Sequence, residues 1–393
     1  MKIKFLDLGL QPITNAYLKS ENISDEYFYN LSVEFDDVTK LVSLTNMVNP
    51  EMMFNDTYSH RASMSKTMLE SFKAVANTLK IRFKPKMVLE IGSNDGVFVR
   101  NFNNKEVIAV EPCGNLAEIT SEMGYRTYKD FWNKETAEQI AGKHGKVDLV
   151  YSANTICHIE NLDEVFEGVF EILDENGVFV FEDPSLFNVL QNTSYDQFYD
   201  EHGYVFSVIA ISNILKKHNL EIFDVENLDT HGGSNRIFVK KIKNTSLEVQ
   251  PAVNNNINKE LKIGMGDISS YIKFSQRVER SKNDLLSLLT KLKENNKKII
   301  SYGATYKSTT IFNYCKIDKK TIEYIVDTTP NKQGKFSPGM HIPIISPEEG
   351  FNDSVDYAFL GAWNFYKEII DKEHDFIKRG GKFITHVPNV RIL

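Results

Sequence analysis

Tyr199, Asp200, Glu201 and His202 place a phenol, two carboxylates and an imidazole in four consecutive positions, within SYDQFYDEHGYVFS. An imidazole titrates near neutrality and accepts or donates a proton there, which makes His202 the candidate base. His158, in SANTICHIENLDE, and His231, in THGGSNRIFV, lie on further loops beside apolar runs that read as strands. Three histidines on loops at one edge of a parallel sheet face the crevice where substrates bind, and they point to proton transfer. A histidine-rich metal site is the rival reading, but the HxH and HxxxH pairs of common zinc sites are absent.

A second constellation is Glu90-Ile91-Gly92-Ser93-Asn94-Asp95-Gly96, where an apolar run turns into a helix. Gly92 and Gly96 let the backbone approach a ligand without a Cβ clash, and the following helix directs its N-terminus at it. Glu111 ends the next apolar run about twenty residues on, followed by Pro112, where a carboxylate can accept both hydroxyls of a ribose. A nicotinamide dinucleotide would use the same acid but favours the denser GxGxxG turn. The ExGxxxG spacing suits S-adenosylmethionine instead, with Asn94 in the loop and Asn154, after VDLVYSA, over the methionine end of the pocket.

The elements that position these groups alternate. MVLEIGS, VIAVEP, VDLVYSAN and GVFVFEDP are short apolar runs with helix-length segments between them, the mark of a parallel sheet covered on both faces. They define a domain over 86–242. Ahead of it lie a small N-terminal domain, 1–55, and a connecting segment, 56–85. Most of that segment reads as one amphipathic helix carrying Met64, Met68, Phe72, Val75 and Leu79. Residues 243–295 comprise a polar linker and a long helix from about Ile268. A second strand, Gly turn, helix, strand pattern fills 296–393, from KKIISYGA to GKFITHVP, and predicts another nucleotide-binding type of α/β unit.

Length and charge narrow the partners. A chain of 393 residues exceeds one hydrophobic core, and a net charge of −7 without a basic run excludes a nucleic-acid footprint. No stretch is long and apolar enough to span a membrane, and MKIKFLDLGLQP lacks the apolar core of a signal peptide. Three scattered cysteines, Cys113, Cys157 and Cys315, argue against a disulfide framework and predict a reducing, cytoplasmic setting. Monomer and homodimer fit the sequence equally.

Read end to end, FLDLGLQPITNAYL, LEIGSNDG, HIENLDE, YDEH, THGGS, SYGATYKSTTIFNY, DTTPNKQGKFSPGMHIPI and VPNVRIL resemble the C-methyltransferases that place a 3-C-methyl on nucleotide-linked 4-keto deoxysugars. The resemblance implies a class I adenosylmethionine-dependent methyltransferase domain of Rossmann-like α/β fold, a C-terminal Rossmann-like sugar-nucleotide domain and a small N-terminal domain. It places Tyr199 and His202 at the sugar and matches His158 to the family's histidine after the fourth strand. The chemistry of an enolate route then makes His202 the base at C3, Tyr199 and His158 hydrogen-bond partners of the enolate, and Glu201 the group orienting a ring nitrogen. Tyr58 and Ser63 fall at positions near the methionine carboxylate. The Gly turn in SYGATYKS would receive the diphosphate or the base, with Lys307 and Lys332 neutralising phosphate charge, and His231, Tyr302, Asn313, His341, Trp363 and Asn364 the rest of the sugar nucleotide.

Two departures from the family stand out. Asp200 replaces a histidine of the YHEH motif. The zinc held by two CxxC pairs in the family's N-terminal domain is not expected, because Phe35 and Val38 stand at the second pair. Two apolar side chains there predict a small hydrophobic cluster in place of the metal. Sugar O-methylation, or a homologue that binds without turnover, are the alternative functions. Intact Glu90, Gly92, Glu111 and His202 speak against loss of catalysis.

Overall fold

The computed structural model describes residues 1–393 and holds three sheets. The central one has seven strands in the order Leu220–Leu228, Ser234–Lys241, Leu173–Pro184, Val147–Ala153, Val88–Ile91, Val107–Val110, Arg126–Tyr128. Its last five strands are parallel, and Ser234–Lys241 runs antiparallel to both of its neighbours. Val88–Ile91 and Val107–Val110 are buried on every residue, which explains their apolar sequence, interrupted only by Glu90. Both Gly92 and Glu111 therefore leave the sheet at the carboxyl ends of adjacent strands. This is the expected Rossmann-like methyltransferase architecture.

The C-terminal sheet has six strands, ordered Ile344–Ile345, Ile325–Val326, Ile299–Tyr302, Tyr357–Leu360, Lys382–Thr385, Arg391–Ile392, all parallel except the last. The helix Ile268–Glu294 joins it to the rest. Tyr271, Phe274, Val278, Leu285, Leu289 and Leu292 form its buried stripe, at the three- and four-residue spacing that keeps one face inward.

The N-terminal sheet pairs Lys2–Pro12 with Phe28–Asp36, then Val42–Leu44, then the two-residue strand Tyr204–Val205 that follows His202. Its core is continuous with the long helix. Phe35 is fully buried and stacks on Tyr271 at 4.5 Å, and Phe5 lies 5.1 Å from the same ring. Burying such a side chain contributes about 1.5–3 kcal/mol. Val38 does not join it: it sits 74% exposed in the turn after Phe28–Asp36, because a tight hairpin turn projects its residues outward. The predicted two-residue cluster is thus one aromatic anchor.

Two further expectations change. The connecting helix begins only at Lys66, where the Ser65 hydroxyl accepts the Met68 N–H at 3.3 Å, and it ends at Phe83. Met64 lies outside it and is exposed. In the polar linker, Pro251–Lys262 is helical, started by its proline and tied down where buried Glu260 accepts the Val208 and Ile209 N–H groups at 2.8 and 2.9 Å. That anchor is tertiary, so local composition hides it.

Candidate functional site

The loop after Val88–Ile91 is organised around Glu111. Its two carboxylate oxygens accept the Asn94 N–H at 2.8 Å and the Cys113 N–H at 2.9 Å, so it braces both sides of the expected cofactor pocket. Asn94, Gly92 and Gly96 all have positive φ. Glu90 is buried with its Oε2 unpartnered, and Asn115 Oδ1, on the helix after Pro112, is a second buried acceptor without a donor. Burial, then the neighbouring Glu111, pushes the Glu90 carboxyl well above its usual range; burial also raises Glu111. Open acceptors beside a Gly loop fit the amino and hydroxyl donors of adenosylmethionine.

A strap formed by residues 56–63 closes over this loop. Asp56 accepts the Gly114 N–H at 3.0 Å, Asn115 donates to the Tyr58 carbonyl at 3.0 Å, and Asn94 Oδ1 accepts the Ala62 N–H at 2.9 Å. Ser63, expected near the methionine carboxylate, donates instead to Asp95. Tyr58 reaches the other way, its hydroxyl donating to Glu201 at 3.1 Å. Through its backbone carbonyl and its hydroxyl, Tyr58 thereby links Asn115 to Glu201. Asn154, with φ +51, lines a small recess together with Tyr151, Thr230 and His231.

At the expected reaction site His202 is 3% exposed. Its Nδ1 lies 2.8 Å from the Gln197 carbonyl, an acceptor only, so Nδ1 carries the proton and Nε2 presents a lone pair. The Tyr199 hydroxyl lies 2.8 Å from that Nε2. Burial, then His158, holds the His202 imidazole well below its usual range, so it is neutral. Burial also lifts the Tyr199 phenol far above its usual range, which keeps its proton in place. His158 stacks between Phe54 and His202 at 5.4 and 5.5 Å, its Nε2 without a partner; burial pushes its imidazole down to about 3. His231 has the same value, from burial and then Lys307.

Glu201 does not orient a ring nitrogen. Its carboxylate is held by Asn15 Nδ2 at 2.6 Å and by Tyr58, and burial followed by the Asp200 charge raises its protonation range. Asp200 accepts the Thr14 hydroxyl at 2.6 Å and its N–H at 3.2 Å. The carboxylate in place of the family's histidine thus anchors the N-terminal domain to this turn. Neither Thr14 nor Asn15 was singled out from sequence, although both stand in FLDLGLQPITNAYL.

The C-terminal domain supplies a further side of the site. Tyr306 stacks on Tyr199 at 4.2 Å, and buried Lys307 lies 2.8 Å from the Tyr306 hydroxyl. Tyr306 was missed, though it adjoins Lys307 in the quoted motif. Lys332 donates to the Ala304 carbonyl at 2.7 Å and lies 3.9 Å from Asp327. Other predicted substrate residues are engaged elsewhere. The Tyr302 hydroxyl donates to Glu373 at 3.1 Å, Asn313 clamps the Thr309 and Pro338 carbonyls at 2.9 and 3.1 Å, and His341 pairs with Glu26 at 2.7 Å. These three hold the domain and its junction together. Trp363 donates to buried Asp196 at 2.6 Å, and with Asn364 it lines a cavity of about 390 Å³, which Asp229, Gly232 and Arg391 share. That cavity touches none of Tyr199, His202 or Lys307.

Comparison with known proteins follows the same three-part division. Residues 1–54 match a model described as "Putative zinc binding domain", 61–225 one described as "Methyltransferase domain", and 229–388 one described as "C-methyltransferase C-terminal domain". Among solved structures, SAM-dependent methyltransferases of Thermotoga maritima and Clostridium acetobutylicum each align with 44% of this chain, and with 89% and 91% of their own. Their identities are 16% and 17%, each with a TM-score of 0.34, and neither likeness bears on substrate.

The first match goes against the expectation that the N-terminal segment has left the zinc-binding type. Its side chains nevertheless do not fit the ion: residues 1–54 contain neither Cys nor His, the donors a structural zinc requires. Amide exchange across Lys2–Pro12 and Phe28–Asp36 is therefore expected to be the same with and without chelator. Loss of protection there on chelation, restored by zinc, would show that a metal holds this sheet.

A full-length relative completes the comparison. The chain is 31% identical over 394 residues to the C-methyltransferase NovU of Streptomyces niveus, across 99% of this chain and 93% of that protein. With the Gly92 loop and Glu111 at the carboxyl edge of its central sheet, this chain belongs to the S-adenosylmethionine-dependent C-methyltransferase family.

Proposed function

We propose that the acceptor is the carbon beside a ketone in a nucleotide-linked 4-keto sugar, C3, and that it is methylated through an enolate. The observation that carries this reading is the His202 tautomer. Nδ1–H is fixed on Gln197 and Nε2 is left with a lone pair beside the Tyr199 hydroxyl. Nε2 takes the C3 proton, and the C–H electron pair moves into the carbonyl, placing charge on the keto oxygen. The Tyr199 hydroxyl turns from Nε2 to donate to that oxygen, with His158, stacked on His202, and Lys307, bonded to the Tyr306 hydroxyl, as further donors. A single positioned donor to an oxyanion is worth about 2.7–4 kcal/mol. When bound, adenosylmethionine supplies a methyl group on a positively charged sulfonium, the electrophile such a carbon nucleophile needs.

The C-terminal domain supports the nucleotide part. Asp327 accepts the Ala304 N–H at 2.7 Å and the Thr329 N–H at 2.8 Å, the arrangement Glu111 makes with Asn94 and Cys113. A carboxylate at that place suits ribose hydroxyls better than phosphate, which favours the nucleoside over the diphosphate as the group at the Gly303 turn. The decisive experiment incubates the protein with labelled adenosylmethionine and a panel of nucleotide 4-keto sugars, then locates the methyl by NMR. Methyl on oxygen, or no transfer to any keto sugar, would overturn the reading.

The same pocket model gives a binding prediction. Glu111→Ala is expected to weaken adenosylmethionine about ten- to a hundredfold by calorimetry, since charge-assisted hydrogen bonds are worth roughly 1.5–3 kcal/mol. Unchanged affinity would remove Glu111 from the cofactor site.

A further inference from the structure

Cys157, His158 and His202 are the one place in the chain where three side chains of metal-ligating type bring donor atoms within 4.8 Å of one another. The three come from two segments, the turn after Val147–Ala153 and the turn before Tyr204–Val205. Two of the donors are poised for a cation by independent contacts. His158 Nε2 is buried with no hydrogen-bond partner, and His202 has its Nδ1 committed to Gln197, which directs the lone pair to Nε2. A backbone carbonyl behind a ligating histidine is the support that fixes tautomer and ring orientation in metal sites. Cys157 is a free, fully buried thiol whose surroundings include the Asp183 carboxylate, and neither Asp183 oxygen has another partner. Tyr199 and Asp183 adjoin the trio and no lysine or arginine makes a hydrogen bond to it, while the Lys307 charge, His60, Glu201 and His231 are close enough to bear on it.

We propose that Cys157, His158 and His202 form a thiolate and two-imidazole site for a divalent cation of the zinc type, whose occupancy excludes proton abstraction by His202. One sulfur and two nitrogen donors with an open fourth position match the borderline-soft preference of that ion. Binding replaces the thiol proton: the Cys157 S–H bond breaks, the sulfur keeps the pair and donates it to the metal, and the proton passes to solvent buffer. The metal also takes the His202 Nε2 lone pair that the base reaction uses. The site is thus a reversible inhibitory one, and none of its three donors comes from residues 1–54. Its inhibitory consequence rests on His202 being the base, whereas binding itself does not.

The test uses the full chain, stripped by chelator and kept reduced, and titrated with Co²⁺ as a spectroscopic probe. One equivalent is expected to bind with near-ultraviolet thiolate-to-cobalt absorption and the visible bands of a four-coordinate ion, and Zn²⁺ is expected to displace it. Cys157→Ala should abolish the thiolate band and weaken Co²⁺ more than about a hundredfold. Cys157→Ser, closer in volume, gives the same loss of band if the alanine variant folds poorly. In turnover assays Zn²⁺ should inhibit the wild type, with recovery on chelation. Cys157→Ala should keep metal-free turnover within about twofold and resist Zn²⁺. Cobalt bound without a thiolate band, equal cobalt affinity in the wild type and the Cys157 variants, or equal zinc inhibition of wild type and variant would overturn the proposal. The cobalt arm needs no methyl transfer, so its failure is distinct from failure of the keto-sugar reading.

Discussion

Replacing His202 with Asn is expected to cut turnover by about 10²–10⁴ while leaving adenosylmethionine affinity intact, the usual contribution of a positioned general base. That range corresponds to roughly 3–5 kcal/mol of barrier. Asparagine is the informative substitution because its amide N–H can still donate to the Gln197 carbonyl that Nδ1 uses, at 2.8 Å in the native protein, but it carries no basic nitrogen. Glu111 and the Gly92 loop are not among the hydrogen-bond partners of His202, so cofactor binding has no reason to change. The variant should also lose exchange of the sugar C3 proton with deuterated solvent where the wild type shows it, since proton removal precedes methyl transfer in an enolate route. Near-normal turnover would move the base to His158 or His231, with Tyr199 after them.

Gly92→Ala is expected to destabilise the cofactor loop by about 2–5 kcal/mol, from two independent costs. Gly92 has φ +72, where an L-residue is strained by about 1–2 kcal/mol. A Cβ there would also lie 2.2 Å from Thr155 Oγ1 and 2.9 Å from Thr155 Cβ, an overlap of the kind that costs about 1–3 kcal/mol. Thr155 has little freedom to yield, being branched at Cβ and bonded through its hydroxyl to the Ala153 carbonyl at 3.1 Å. Denaturant unfolding measures the stability loss, and calorimetry the accompanying fall in adenosylmethionine affinity. Adding Thr155→Gly should recover the overlap part but not the backbone part. A Gly92→Ala protein with native stability and affinity would show that this loop tolerates what its geometry forbids.

Glu90, Gly92 and Glu111 were legible in the sequence because strand, turn, helix and next strand are consecutive, and parallel pairing in register brings their ends together without help from distant segments. The long helix was legible for a similar reason: a repeating apolar stripe from Tyr271 to Leu292 is a local pattern with only one helical solution. His202, Tyr199 and His158 were legible as chemistry. What surrounds them was not. The residues that hold Glu201 and Asp200 come from a loop near the N-terminus, and the ring stacked on Tyr199 comes from the C-terminal domain. No spacing rule links segments that meet only after three domains dock. The same limit misled the reading of Tyr302, Asn313 and His341, whose types suit a ligand but whose side chains are directed to Glu373, to backbone carbonyls and to Glu26. Phe35 and Val38 make the point at the smallest scale. Both are apolar and three residues apart, yet one lies at the end of a strand whose face meets Tyr271 and the other lies in the turn beyond it, so packing alone decided that one is core and the other surface.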